Sequence, residues 1–113
     1  MDPTPQVKAG WLQKRGALGL RTWAKRWFEA DRDGVTYYVD ESKKESRGNI
    51  KYQDITSVEM SHAPLELFSS NGGYFQLITN KGGRIYFLYS DSKEDAKVWM
   101  DTICNWKALI GLY

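Results

Sequence analysis

The feature that most limits the fold is a change of hydrophobic period near the C-terminal end of the chain. Between residues 93 and 110 the apolar positions recur three or four residues apart, the pattern of an amphipathic helix: Ala96, Trp99, Ile103, Trp106 and Ile110. Ser92 stands at the N-cap position, and Gly111 stands where a helix stop belongs. The sequence therefore predicts one helix, and this helix ends the domain.

Before the helix, the chain breaks into short β-prone stretches separated by turn signals. Seven strands are predicted: Val7–Arg15, Trp23–Ala30, Val35–Val39, Gly48–Tyr52, Ile55–Met60, Tyr74–Thr79 and Arg84–Tyr89. Strands spaced this closely favour an antiparallel barrel or sandwich, whose end the helix would plug through Trp99. With 113 residues the chain suffices for one domain. We expect residues 1–6 to be a flexible segment and residues 7–111 to form the domain.

Charge is distributed unevenly along the chain. The formal net charge is only +2, yet residues 3–28 carry six basic and no acidic side chains, and the remainder carries ten basic and fourteen acidic. Such polarity predicts an anionic partner for the first hairpin: a membrane surface, a nucleic acid or an acidic protein. Nucleic acid is disfavoured, because the surplus of acid after residue 28 interrupts any broad basic stripe.

Two cations of the first hairpin are predicted to converge. Leu12 and Lys14 are two residues apart and share a face of the first strand, as Arg26 and Phe28 do on the second. If Leu12 and Phe28 enter the core, Lys14 and Arg26 continue the same rows toward the open end. There they would suit a multiply charged anion such as phosphate.

The order and spacing of these features resemble a pleckstrin homology (PH) domain over nearly the whole chain. The resemblance is carried by Gly10-Trp11-Leu12, Lys14, Trp23, Arg26-Trp27-Phe28, Tyr37-Tyr38, Arg47-Gly48, Phe75, Leu77-Ile78 and Trp99. It implies a mainly β fold with one helix, a seven-stranded antiparallel PH-like barrel or sandwich capped by a C-terminal α-helix. It also implies a binding module within a larger protein, without a cofactor.

In PH domains that bind phosphoinositide headgroups, the first hairpin carries a Lys and, after a loop, a basic residue, any residue and an Arg. Lys14 and Arg26 match the outer members of that pattern, whereas Ala24 stands in the middle basic position. The resemblance implies a headgroup site of six residues: Lys14, Arg26, Tyr38, Arg47, Thr22 and Arg21. Thr22, Tyr38 and Arg47 match positions used in members resembling the cytohesins, so a 3-phosphorylated inositide is favoured. The long extra hairpin of that subgroup is missing.

The tip of the first hairpin is predicted to touch the membrane. Leu18 and Leu20 stand among cations there, and they would enter the interface of an anionic bilayer beside Arg15 and Arg21. No apolar run approaches the length of a membrane span, and the first residues lack the pattern of a secretory signal. We therefore expect a cytoplasmic protein that is recruited peripherally to membranes.

Other interpretations of the same residues remain open at this point. Lys14 and Arg26 are alternatively two solvated cations, Arg47 pairs with Glu45, and Tyr38 is a packing residue. A protein or peptide partner, bound along a strand edge or helix groove, is the competing class of function. No catalytic or metal-binding constellation is recognisable: one His and one Cys are present, and no phosphate-loop pattern. The sequence therefore predicts that the protein is not an enzyme.

Overall fold

The computed structural model describes residues 4–16, 22–61 and 72–110, and it has the predicted fold class. Its elements are β1 Lys8–Arg15, β2 Trp23–Asp31, β3 Gly34–Tyr38, β4 Ser46–Ile50, β5 Ile55–Met60, β6 Gly73–Thr79, β7 Ile85–Ser90 and α1 Lys93–Ile110. The strands form one antiparallel sheet in the order β4-β3-β2-β1-β7-β6-β5. The mainly β fold with a single C-terminal helix is therefore confirmed.

The largest departure from the predicted elements is at Tyr52, which was expected to end the fourth strand. It instead begins one turn of 3₁₀ helix, Tyr52–Asp54. The cause is tertiary: the Tyr52 ring is buried and stacks on Trp106 with ring centroids 6.4 Å apart. Its hydroxyl donates a hydrogen bond to the carbonyl of Asp31 at 2.7 Å. These contacts draw the chain inward, and β4 ends at Ile50.

The helix begins as its sequence predicts. The Ser92 hydroxyl accepts a hydrogen bond from the backbone N–H of Asp95 at 3.0 Å, which is an N-cap contact. Trp99 is fully buried, and its ring meets Phe28 edge to face with centroids 6.4 Å apart. The central indole therefore plugs the sheet as predicted. The predicted stop at Gly111 lies outside the described residues.

The helix covers one end of the sheet and leaves the other end open. At the covered end, Lys8 at the start of β1 pairs with Asp95 of α1, Nζ to Oδ1, at 2.7 Å. Lys14 lies six residues further along the strand, roughly 20 Å away at about 3.3 Å per residue. Leu12, between them, is buried in the core. The hairpin end of β1 and β2 is thus the place for a ligand site.

The chain before β1 is attached to the helix. The indole N–H of Trp106 donates a hydrogen bond to the carbonyl of Gln6 at 2.9 Å. This contact holds the last residue of the segment that was expected to be flexible. The flexible segment 1–6 and the domain limits 7–111 stay predictions, since residues 1–3 and 111–113 lie outside the described parts.

Candidate functional site: a basic cleft at the open end

Strand register brings the two predicted cations onto one face. Leu12 pairs with Arg26, and Lys14 pairs with Ala24. Because directly opposed residues of an antiparallel pair point to the same side, Lys14 and Arg26 share the face of buried Leu12 and Phe28. Lys14 and Arg26 therefore follow buried Leu12 and Phe28 on this face of their strands, just outside the core.

At this open end the structure has a cleft of about 440 Å³, a size that suits a small ligand. Its walls come from four strands and the ends of two loops: Lys14, Gly16, Thr22, Ala24, Arg26, Tyr37, Arg47 and Arg84. Four of these lining residues are basic and none is acidic. The cleft is therefore a cationic, solvent-open site.

Lys14 is the most constrained cation of the cleft. Its ammonium lies 5.3 Å from the ring centroid of Tyr37 and 5.8 Å from that of Tyr86, and it donates to the Arg15 carbonyl at 3.3 Å. Burial lowers the pKa of Lys14, and the charges of Arg84 and Arg26 lower it further. Cations that depress one another's charged state are stabilised when an anion enters between them.

Arg47 reaches the cleft because β4 is irregular there. Tyr37 pairs with Gly48, whereas Tyr38 pairs with Ser46, so Arg47 is an extra residue in the ladder. A bulge of this kind changes the direction of a side chain relative to regular alternation. Arg47 also pairs with Glu45 at 3.7 Å, but both side chains are at least half exposed, so the pair is weak and a ligand can displace it.

Tyr38 does not line the cleft; its neighbour Tyr37 does. Tyr38 pairs with Trp27 and Tyr37 pairs with Phe28, so the two tyrosines lie on opposite faces of β3. The structure therefore puts Tyr37, and not the predicted Tyr38, in the wall of the cleft. Burial raises the pKa of Tyr37, and its ring stacks on Phe28 with centroids 5.1 Å apart. Tyr37 is a neutral wall that keeps its hydroxyl proton.

Sequence reasoning missed Arg84, which comes from the far side of the sheet. Lys14 pairs with Leu88 across β1 and β7, and Tyr86 and Arg84 follow Leu88 at intervals of two toward the open end. The guanidinium of Arg84 stacks on the Tyr86 ring at 4.1 Å. A basic residue directly after the Gly82-Gly83 turn was the only sequence signal, and it needed the β1–β7 pairing to become informative.

Comparison with known proteins identifies the fold. Residues 6–107 match the PH domain family. The chain belongs to this family. Over 99 residues it is 28% identical to mouse pleckstrin homology domain-containing family A member 6, a match that covers 88% of this chain and 8% of that protein. In this relative the matched PH domain is therefore a small part of a much longer chain.

Two further comparisons agree with this membership. Over 100 residues the chain is 26% identical to human Arf-GAP with Rho-GAP domain, ANK repeat and PH domain-containing protein 2, covering 88% of this chain and 5% of that protein. The solution structure of the N-terminal PH domain of human ARAP2 is similar, with a TM-score of 0.69 and 25% identity, over 95% of this chain and 84% of that one. PH domains are modules commonly used for membrane or protein interaction, and the fold is typically non-catalytic.

Of the remaining predicted site residues of this PH domain, two lie in the described part of the chain. Thr22 lines the cleft, and its carbonyl accepts a hydrogen bond from the N–H of Gly16 at 2.8 Å, which joins the two ends of the loop between β1 and β2. Arg15 points to the outer face, where its guanidinium lies 5.3 Å from the Phe87 ring. The other three lie outside the described residues: Leu18, Leu20 and Arg21.

Two further observations concern metals and membranes. Among residues 4–16, 22–61 and 72–110, no group of three or more His, Cys, Asp or Glu side chains is placed to hold a metal ion. The described part of the chain also contains no helix of the length and apolar character needed to cross a bilayer.

Proposed function

We propose that this PH domain binds the phosphorylated headgroup of a phosphoinositide in the basic cleft and so attaches to an anionic membrane surface. The observation that carries the proposal is the set of four cations lining one open cleft, with no acidic residue among the described side chains that line it. A phosphate dianion accepts several charge-assisted hydrogen bonds, each typically worth about 1.5–3 kcal/mol. A ring that carries several phosphates can bind several of these cations at once.

Each cation has a distinct part in this proposal. Lys14 and Arg26 bind ring phosphates from the two strands of the first hairpin. Arg84 binds from the opposite wall, where its stacking on Tyr86 holds the guanidinium plane. Arg47 exchanges its weak pair with Glu45 for a ligand phosphate. The guanidinium groups are suited to two parallel hydrogen bonds to one phosphate.

A 3-phosphorylated inositide is the favoured ligand in this proposal. Support comes from Thr22 and Arg47, which line the cleft and match headgroup positions of the cytohesin-like members. Tyr37 takes the tyrosine position that the sequence had assigned to Tyr38. Ala24 supplies no charge at the middle basic position, so we expect weaker binding than in a domain with a cation there. The proposed location is the cytoplasmic face of a membrane, and neither nucleic acid nor a cofactor is required.

Vesicle sedimentation with charge-matched variants tests the proposal. Arg26→Ala should lose at least about ten-fold in affinity for phosphoinositide vesicles, as expected for one charge-assisted hydrogen bond. Lys51→Ala is the control, because Lys51 is also an exposed cation but follows β4 at the other end of that strand. Measurements at two salt concentrations separate a fitted site from surface attraction, which fades with screening. Equal binding of both variants to every anionic vesicle would reject the cleft as the site.

A protein-interaction module is the second candidate, and one observation favours it. Strand β5 is an edge of the sheet, and Met60 at its end is 63% exposed. An edge strand can pair with an extended peptide. A partner retained in pull-downs by the Lys14→Ala, Arg26→Ala double variant, but lost on Met60→Asp, would support this function at the expense of the lipid proposal.

A further inference from the structure

A serine hydroxyl stands at the rim of the basic cleft, in the turn that joins β3 to β4. This turn is closed by a hydrogen bond from the N–H of Val39 to the carbonyl of Glu45 at 3.0 Å. Ser46 follows directly as the first residue of β4, and its next neighbour along the chain is the cleft residue Arg47. Residues 40–47 are all exposed, and β4 is an edge of the sheet. A modifying enzyme can therefore reach Ser46 without opening the core.

The residues before Ser46 form a charge pattern that protein kinases recognise. Lys44 and Lys43 stand two and three residues before the hydroxyl, where basophilic serine kinases select basic side chains. No other serine or threonine in the sequence has a basic residue at both of these positions. The Lys43 side chain is 47% exposed, and its pair with Glu29 at 3.3 Å is a surface ion pair that a kinase can displace.

Ser42, in the same turn, is a poor acceptor by comparison. Its hydroxyl donates a hydrogen bond to the Asp40 carboxylate at 2.5 Å and accepts one from the N–H of Lys44 at 3.4 Å. A phosphate on Ser42 would therefore meet a like charge at hydrogen-bond distance, whereas a phosphate on Ser46 would lie next to the cation Arg47. The two serines thus provide a matched pair in one exposed turn.

We propose that Ser46 is a phosphorylation site, through which a basophilic serine kinase weakens the binding of anionic ligands in the cleft. In the reaction, the Ser46 Oγ attacks the γ-phosphorus of an ATP molecule that the kinase holds. The Oγ–P bond forms while the bond between this phosphorus and the bridging oxygen breaks, and ADP leaves with the electron pair. The hydroxyl proton passes to the carboxylate base of the kinase.

The added phosphate acts on the cleft through its charge. Phosphoserine carries about −1.5 to −2 charges at pH 7. Consecutive Cα atoms are about 3.8 Å apart, well within the roughly 8 Å over which charges act at physiological salt. The phosphate on Ser46 therefore competes with a ligand phosphate for Arg47, whose pair with Glu45 is long at 3.7 Å. This inference rests on the proposed function, because the property that it regulates is headgroup binding.

Labelling with ATP and a basophilic serine kinase of the cyclic-AMP-dependent type tests the modification, with mass spectrometry to locate the phosphate. The wild-type protein should be labelled on Ser46. Labelling should persist in Ser42→Ala, disappear in Ser46→Ala and become slower in Lys43→Ala, because the last variant removes one of the two recognised cations. An unlabelled Ser46 in the wild-type protein, or an undiminished rate in Lys43→Ala, would overturn the inference.

Phosphoserine encoded at position 46 or at position 42 tests the effect on the cleft, since the two proteins have the same net charge. Calorimetric titration with a soluble inositol polyphosphate should show about ten-fold weaker binding for position 46, the effect of one charge-assisted hydrogen bond. Position 42 should change the affinity less than about two-fold, because screening weakens the more distant charge. Wild-type affinity with phosphoserine at 46, or an equal loss at 42, would overturn the inference. Failure of the proposed function is distinguishable, since the unmodified protein would then not bind the inositol polyphosphate, whether or not Ser46 is labelled.

Discussion

Replacing Ala24 by Lys should tighten headgroup binding while it destabilises the unliganded domain. Ala24 lines the cleft and pairs directly with Lys14 across β1 and β2. A cation at this position would reach the same phosphates as Lys14 and Arg26. It would also bring a like charge to Lys14, whose pKa is already lowered by burial and by its cationic neighbours.

Two contributions set the size of the effect on affinity and on stability. A charge-assisted hydrogen bond to phosphate contributes about 1.5–3 kcal/mol. Repulsion between two ammonium groups roughly 4–5 Å apart in a solvent-open cleft costs about 1 kcal/mol. This repulsion is already present without ligand and the phosphates offset most of it in the bound state, so it does not reduce affinity, and a gain of about 1.5–3 kcal/mol is expected, equivalent to roughly ten-fold or more tighter binding. Without ligand the repulsion remains, and the free energy of unfolding should fall by up to about 1 kcal/mol.

Calorimetric titration with a soluble inositol polyphosphate, together with urea unfolding, checks both signs. Ala24→Gln is the control, because glutamine is long and polar but uncharged and should leave affinity nearly unchanged. The reasoning is refuted if folded Ala24→Lys binds the headgroup no better than wild type. It is also refuted if Ala24→Gln tightens binding as much as the lysine does, because charge would then be irrelevant.

Three further predictions concern the supporting structure. Gly48→Ala should cost about 1–3 kcal/mol in urea unfolding and weaken headgroup binding, since a Cβ there would lie 2.5 Å from the Tyr37 hydroxyl. Trp99→Ala should cost roughly 3–5 kcal/mol, measured by thermal unfolding; a loss below about 1 kcal/mol would contradict the plug. Burial alone would raise the pKa of Asp95, but hydrogen bonds from Lys8 and other donors outweigh it and lower the pKa. The stabilisation by Asp95 is therefore present above its unfolded-state pKa of about 3.9 and is lost as the pH falls through its folded-state pKa. The difference in the free energy of unfolding between wild type and Asp95→Asn should therefore disappear in acid. A gap independent of pH would exclude this carboxylate as its source.

Local periodicity was sufficient to predict most of the fold. The helix limits, its N-cap and the fully buried Trp99 follow from spacing alone, and the strands agree with the structure to within one or two residues. The convergence of Lys14 and Arg26 on one cleft was predictable because alternation along one hairpin is a local property. The position of Tyr37 could also have been predicted. If residues are counted outward from the turn before Gly34, Tyr37 pairs with Phe28, and Phe28 points into the core.

The rest of the site depends on non-local contacts, which leave little trace in the sequence. Arg84 lies near Lys14 only because β7 is the neighbour of β1 in the sheet. The residue spacing within either hairpin does not predict this strand order. Arg47 reaches the cleft through an irregular ladder between β3 and β4, where alternation does not hold. Tyr52 leaves β4 because a distant ring, Trp106, offers a stacking partner.

The hydrogen bond between the Trp106 indole and the Gln6 carbonyl has a consequence for how the domain can be assembled with other parts. It holds the approach to β1 beside the final turns of α1, on the side remote from the basic cleft. A tether, tag or neighbouring module joined at either terminus would therefore lie on the side of the domain that faces away from a docked surface. Fusions at both termini should therefore preserve vesicle affinity, whereas circular permutants opened between β1 and β2 should not.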